Sequence, residues 1–385
     1  MTFVPSHEEQ LLREAVAGIA SGFGQEYLLR CSADGVPPTE LWDALADKGY
    51  IGVNIPEEHG GGGGGMTELA AVGEELARAG CPLLLMVVSP AIAGSVLVRH
   101  GSEEQKRTWL RGIAGGELKV AFAITEPDAG TNSHNLSTRA DKHDGGWRIT
   151  GQKTYISGVE DCDAILVVTR TGVDESSGRG LLSLFLVDPD APGLSRTEIP
   201  TAPRSADKQW QLFFDGVEVG PDRLVGPEHW GLKVVFDGLN PERIMTAALA
   251  LGAGRKALAQ ASEYARQRTV WSVPIGAHQG ISHPLAQCKI ELELAALMTR
   301  KATTLYDAGA KGAGEASNMA KYAAAEAAIR CVDQAIQTHG GNGVADEYGL
   351  AQMYWGVRTM RIAPVSREMI LNYVAEHSLG LPRSY

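Results

Sequence analysis

The apolar pattern of this chain changes period twice, and those two switches bound the folds open to it. Up to about residue 115, hydrophobic residues recur at helical spacing. Leu11, Leu12, Val16, Ile19 and Ala20 keep a 3.6-residue period, and Leu41, Leu45 and Ile51 follow the Pro37-Pro38 pair. Ser102-Glu-Glu-Gln105 has the form of a capping box opening the helix that carries Trp109, Leu110 and Ile113. From about 116 to 224 the pattern shortens to β-branched or aromatic runs bounded by Gly, Pro and Asp, namely 164–169, 182–187 and 211–217. From 230 onward the helical period returns in Ala-rich segments, expected at roughly 242–268, 281–309, 316–339 and 366–378. Helix, then sheet, then helix predicts an α+β fold with domains at 1–115 (α-helical), 116–224 (β) and 225–385 (α-helical, bundle-like).

Composition narrows the function classes. A net charge of −11 argues against nucleic acid or an anionic membrane as the main partner, since both require clustered Lys and Arg. No apolar run approaches a membrane span and the first residues have no signal-peptide character, so a cytoplasmic location is expected. Five scattered cysteines (31, 81, 162, 288, 331) without a Cys-x-x-Cys pair predict reduced thiols and no metal site. The six glycines at 60–65 lack the Lys-Ser/Thr and the preceding strand of a phosphate loop; a flexible inter-helix connector is expected there.

The chemistry concentrates in Ala121-Phe-Ala-Ile-Thr-Glu-Pro-Asp-Ala-Gly-Thr-Asn-Ser133. Proline biases Glu126 toward an extended conformation, and Gly130 lets the backbone come close to a flat ligand. A strand end of this kind presents backbone N–H groups and small hydroxyls to the polar edge of a heteroaromatic ring. Alone it reads better as an ordinary strand-to-turn transition.

Together with its downstream partners, the segment resembles the flavin-contacting loop of the acyl-CoA dehydrogenases. Gly151-Gln-Lys-Thr-Tyr-Ile-Ser157 is similar to that family's Gly-x-Lys-x-Trp-Ile-Thr strand. Glu242-Arg243, Arg268, His278-Gln279 and Gln337-Thr-His-Gly-Gly-Asn-Gly343 follow in the family's order, so the resemblance runs from the first helix to about Ala375. It implies a three-domain fold, an FAD cofactor, a homo-oligomer (tetramer or dimer) whose subunits share the flavin site, and electron-transfer flavoprotein as acceptor. The reaction implied converts acyl-CoA to trans-2-enoyl-CoA: a carboxylate removes the α-proton while flavin N5 takes the β-hydride. Alternatives on the same fold are a flavin oxidase or monooxygenase, or a dehydrogenase of acyl carrier protein thioesters. A non-catalytic flavin-binding paralogue is disfavoured by the flavin contacts, Glu242 and Arg243.

Carried over residue by residue, the resemblance assigns Phe122, Ile124, Thr125, Thr131, Tyr155, Ile156 and Ser157 to the flavin. Tyr155 stands in place of the usual Trp and keeps a flat ring for one flavin face; Ser157 keeps the hydroxyl of the usual Thr. Arg268 and Gln279 are implied to reach the adenine nucleotide half across a subunit interface, with Gln337, Gly340 and Gly341 as its other wall. After Arg268 the expected x-x-Phe-Gly is replaced by Thr269-Val270-Trp271-Ser272. Ser366 and Glu368 occupy the places of the Thr and Gln near the flavin diphosphate, and His339 reads as packed or flavin-flanking.

The base is displaced. Many members carry it in a C-terminal Glu-Gly-Thr segment, and that slot falls on Pro364, which has neither a carboxylate nor an N–H. A second group, with the isovaleryl- and long-chain-type enzymes, has a glutamate before an Arg on the central helix. Here that place is Asn240-Pro-Glu-Arg243, which nominates Glu242 as base with Arg243, Asn240 and Thr131 toward the substrate. Asn-Pro-Glu also reads as a helix start, where the dipole would depress the glutamate. Glu126 is a rival base within a loop-shaping motif.

Overall fold

The computed structural model describes residues 3–383 and resolves into two compact units. One comprises the chain up to Leu29, Met66–Leu83 and everything from Arg243 on; the other is Arg30–Gly65 with Leu84–Glu242.

The second unit holds an eight-stranded sheet. Its strands are β1 (Val120–Ala123), β2 (Arg139–His143), β3 (Gly146–Ser157), β4 (Ala164–Val173), β5 (Gly180–Val187), β6 (Leu194–Ile199), β7 (Gln209–Val219) and β8 (Leu224–Val225). The order is β6-β7-β3-β2-β4-β5-β8, with β1 added parallel to β4. Alternate residues of β3 and β7 and the continuous apolar runs of β1 and β4 bury one cluster that includes Trp147, Ile149, Ile156, Ile165, Phe185 and Phe214. The runs foreseen at 164–169, 182–187 and 211–217 lie inside β4, β5 and β7.

The capping box at Ser102 forms on both sides: Ser102 Oγ accepts from Gln105 N (3.1 Å) and Gln105 Oε1 from Ser102 N (3.0 Å). Gln105 Nε2 also donates to the carbonyls of Asp222 (2.7 Å) and Leu224 (2.9 Å), tying that helix to the last strand of the sheet.

The glycine run departs from its expected role. Its amides bond back onto the preceding segment, Gly62 N to Gly52 O, Gly63 N to Ile55 O and Gly64 N to Val53 O. A Cβ on Gly61 would sit 2.2 Å from the Ile55 carbonyl oxygen. At Gly61 and Gly62 the missing side chain lets two backbones touch, a need other than slack in the connector.

In the first unit, Arg13 bridges Glu9, Glu74 and Glu75, while Arg300 pairs with Glu9 and Arg255 pairs with Glu74. This network joins the first helix, His7–Ser21, to Met66–Ala79 and the long helices. Those long helices are Gly231–Gln267, Gln279–Asp307 and Ala313–His339, followed by the shorter Leu350–Thr359 and Arg367–Tyr373. The first of them corrects an expectation. It begins eleven residues before Glu242, at Gly231, so Asn240-Pro241-Glu242 is helix interior and no helix start. Pro241 withholds one donor from the preceding turn, at the Asp237 carbonyl. The Asp237 side chain is held there by Arg99 Nη1 (2.9 Å) and His100 Nε2 (2.7 Å), which secures that turn by side-chain contacts.

Candidate functional site

The two motifs that carried the sequence reading meet in space. Thr154 N donates to Thr125 O at 2.9 Å, and Lys153 Nζ donates to Ile124 O at 2.9 Å and to Glu126 Oε1 at 2.8 Å. The turn Glu126–Ala129 closes on itself, Glu126 N to Ala129 O and Ala129 N to Glu126 O. Its carboxylate reaches across to the next segment: Oε2 accepts from Ser137 N (2.6 Å) and Ser137 Oγ (2.7 Å), Oε1 from Thr138 N (3.0 Å).

Glu126 is thus a brace. Burial alone would raise its pKa, but Lys153 and the Ser137 and Thr138 donors override that and hold it at about 2. A carboxylate so acidic and so enclosed abstracts no proton from a weak carbon acid. Burial likewise pulls Lys153 down to about 8 against the pull of Glu126. The two shifts weigh the pair oppositely, favourable at the carboxylate and costly at the amine. Both values leave the pair ionised at pH 7, in keeping with its short contacts.

Tyr155 follows directly, in a bulge where the register of β3 on β7 slips between Lys153 and Ile156. Its φ is 56° and its side chain is 63% exposed. A tyrosine held in left-handed backbone, ring outward, is the arrangement a bulge produces when it re-aims a side chain. Ile156 turns inward to the sheet's core cluster, so it offers a ligand only its backbone; Phe122 is buried too, at 7% exposed. Ser157 Oγ accepts from Gln209 Nε2 at 2.9 Å; Ile124 and Thr125 are half-buried and Thr131 exposed.

In the first unit, Arg268 precedes a small hairpin, Thr269–Val270 paired with Val273–Pro274, whose tip is Trp271, 93% exposed at φ 61°. Arg268 and Gln279 are both exposed. Gln337 and Gly340 lie exposed at the end of Ala313–His339, beside Gly341. His339 is buried, its ring stacked on Tyr264 at 4.3 Å and its Nδ1 2.8 Å from Ala335 O, which makes it a packing residue. Ser366 caps Arg367–Tyr373 through Met369 N (3.3 Å), and the exposed Glu368 pairs with Arg367. Asn240, Glu242 and Arg243 are half-buried on the helix Gly231–Gln267, past its first turns.

Three family models match in tandem: the acyl-CoA dehydrogenase N-terminal domain over residues 6–117, the middle domain over 121–217 and the C-terminal domain over 229–379. The chain belongs to the acyl-CoA dehydrogenase family. It has the family's three-domain architecture, helical at both ends with a β-domain between, and is an FAD-dependent oxidoreductase of that class. It is 54% identical over 385 residues to acyl-CoA dehydrogenase FadE12 of Mycobacterium tuberculosis, covering 100% of this chain and 99% of the relative. The glutaryl-CoA dehydrogenase of Desulfococcus multivorans is 31% identical over 353 residues, 90% of each chain. Among solved structures, butyryl-CoA dehydrogenase from Megasphaera elsdenii superposes with a TM-score of 0.92 at 26% identity, covering 98% of this chain and 100% of the other. The glutaryl-coenzyme A dehydrogenase–glutaryl-CoA complex gives 0.92 at 29%, covering 100% and 98%.

The residues present fit FAD. Tyr155 offers an outward ring, and Arg268 an exposed guanidinium whose fork suits a diphosphate. Gly341 has ordinary backbone, and a Cβ there would meet nothing within 4 Å, so packing inside this chain does not account for its missing side chain. Two lysines to which the sequence assigned no role, Lys153 within the matched strand motif and Lys321, are each nearly inaccessible to solvent. A signal existed for the second: helical spacing puts Lys321 in line with Ser317, Ala324, Ala325 and Ala328, the buried face of its helix. Among the described residues no cluster of His, Cys, Asp or Glu is arranged to hold a metal, and no helix is long and apolar enough to cross a membrane.

Proposed function

We propose that the chain dehydrogenates an acyl thioester with Glu242 as the group that takes the α-proton. The supporting observation is the condition of its rival. Glu126 is buried under four hydrogen bonds at a pKa of about 2, and Pro364 leaves the common C-terminal slot without a carboxylate. Glu242 sits past the helix start, so the N-terminal dipole that would have weakened it as a base does not act there. Bound FAD supplies the hydride acceptor. Thr125, Tyr155, Ser157 and the backbone of Ile156 orient its ring, with Phe122, Ile124 and Thr131 alongside. Arg268, Gln279, Gln337, Gly340 and Gly341 would hold its nucleotide half, and the Ser366 hydroxyl and Glu368 its diphosphate region. Arg243, Asn240 and Thr131 receive the substrate's polar arm.

The domains are taken as 1–115, 116–224 and 225–385, the assembly as a homotetramer or dimer, the electron acceptor as electron-transfer flavoprotein and the location as cytoplasmic. Anaerobic titration of the holoprotein with short, branched, medium and long acyl-CoAs, watching flavin absorbance, tests the reading. Bleaching by at least one thioester is expected; no bleaching by any, acyl carrier protein thioesters included, rejects it. Pro364 favours one second reading, an oxidase or monooxygenase with no need of the family's base, and rapid oxygen uptake without a carrier protein would select it.

A further inference from the structure

Abstraction of an α-proton requires a polarised thioester carbonyl, and a fixed backbone N–H aimed at that oxygen is the usual means. Pro364 offers none. The turn that carries it is tied to a neighbouring helix. Lys321, 1% exposed, places Nζ 2.6 Å from the Val365 carbonyl oxygen. Five residues along the same helix, Glu326 accepts from Arg361 Nη2 at 2.7 Å and lies 3.9 Å from Arg367 Nη1. Both ends of the turn and its middle are therefore fixed to Ala313–His339.

Burying an ammonium is costly unless the charge is used. Here it fixes the direction of one peptide plane. The Val365–Ser366 bond is trans, so its N–H points opposite to its C=O. With the carbonyl aimed at Lys321, the Ser366 N–H faces away from the helix.

We propose that Lys321 is a positioning residue: by holding the Val365 carbonyl it aims the Ser366 N–H at the thioester carbonyl, replacing the amide that Pro364 lacks. This rests on the acyl-thioester reading above. It assigns no proton transfer to Lys321, and it does not depend on Glu242 being the base.

The test is the absorbance of a bound 3-aryl-acryloyl-CoA, whose conjugated thioester shifts to longer wavelength when its carbonyl is polarised. Binding is followed separately by equilibrium dialysis on the holoprotein. Ser366→Ala and Ser366→Pro both lose the hydroxyl, but only the second loses the N–H, and φ of −65° at Ser366 already suits proline. The expected result is a red shift in Ser366→Pro less than half that in Ser366→Ala, with flavin reduction slower by roughly 10²-fold, the usual effect of removing one such donor. Lys321→Met should lose the red shift while retaining FAD. Equal shifts in the two Ser366 variants would overturn the proposal even if Lys321→Met fails to fold. A wild-type protein that binds the thioester without a shift overturns this inference alone; one that binds no thioester overturns the substrate reading as well.

Discussion

Lys153 Nζ lies 2.8 Å from Glu126 Oε1 with both side chains buried, and the pair joins the strand bearing Tyr155 to the loop bearing Thr125. Glu126→Gln would leave the ammonium buried without its counter-charge, at a cost of about 3–5 kcal/mol. The double variant Glu126→Gln/Lys153→Met should recover part of that loss. The folded pKa of Glu126, about 2, is below the ordinary 4.5. Its contribution to stability is therefore complete above pH 4.5 and lost as pH falls from 4.5 toward 2. Denaturant unfolding across that interval should show a steeper decline in wild type than in Glu126→Gln; parallel curves would remove Glu126 from the role of brace.

Tyr155 carries a second cost, this one in its backbone. At φ 56° a non-glycine residue is strained by about 1–2 kcal/mol, a penalty glycine does not have. Tyr155→Gly should raise the melting temperature of the apoprotein while weakening FAD retention, because the exposed ring is lost. Calorimetry of the apoprotein and flavin content after gel filtration check the two halves. A destabilised apoprotein would mean the ring packs for the fold and not for the flavin.

The parts that the sequence disclosed are those set by short-range pattern. β4, β5 and β7 announced themselves by β-branched runs, and Ser102 and Gln105 by a four-residue cap. What it hid depends on distant partners. Asn240-Pro241-Glu242 carries every local mark of a helix start, yet tertiary packing extends the helix back to Gly231 through the proline. Gly61 reads as part of a flexible connector until the Ile55 carbonyl is found against it. The burial of Lys153 and Lys321 follows from a carboxylate 27 residues away and a carbonyl 44 residues away, separations invisible to any local period.

The exposed Arg268, Gln279 and the Trp271-tipped hairpin suit a shared cofactor site between copies. The purified protein should be yellow, release FAD and not FMN on heating, and sediment as a dimer or tetramer. Arg268→Ala should lower its FAD content. A stable monomer with full flavin would contradict the assignment of Arg268 and Gln279 to a neighbour's cofactor.

Glu242→Gln is the decisive variant. It should keep FAD and bind acyl thioester, yet reduce its flavin slower by roughly 10²–10⁴-fold, the range over which a positioned acid–base group acts. Glu126→Gln is the control, since its carboxylate already accepts from Lys153, Ser137 and Thr138 and should affect flavin retention more than proton abstraction. Rapid-mixing reduction under anaerobic conditions separates the two. The helix supports the contrast: Glu242 is half-buried beyond the first turns, in the segment whose Asp237 is tied to Arg99 and His100, so glutamine can replace it without unmaking a cap. If Glu242→Gln reduces its flavin at close to the wild-type rate, the proton leaves by another group, and the reading in which Pro364 marks an oxygen-using flavoenzyme takes first place.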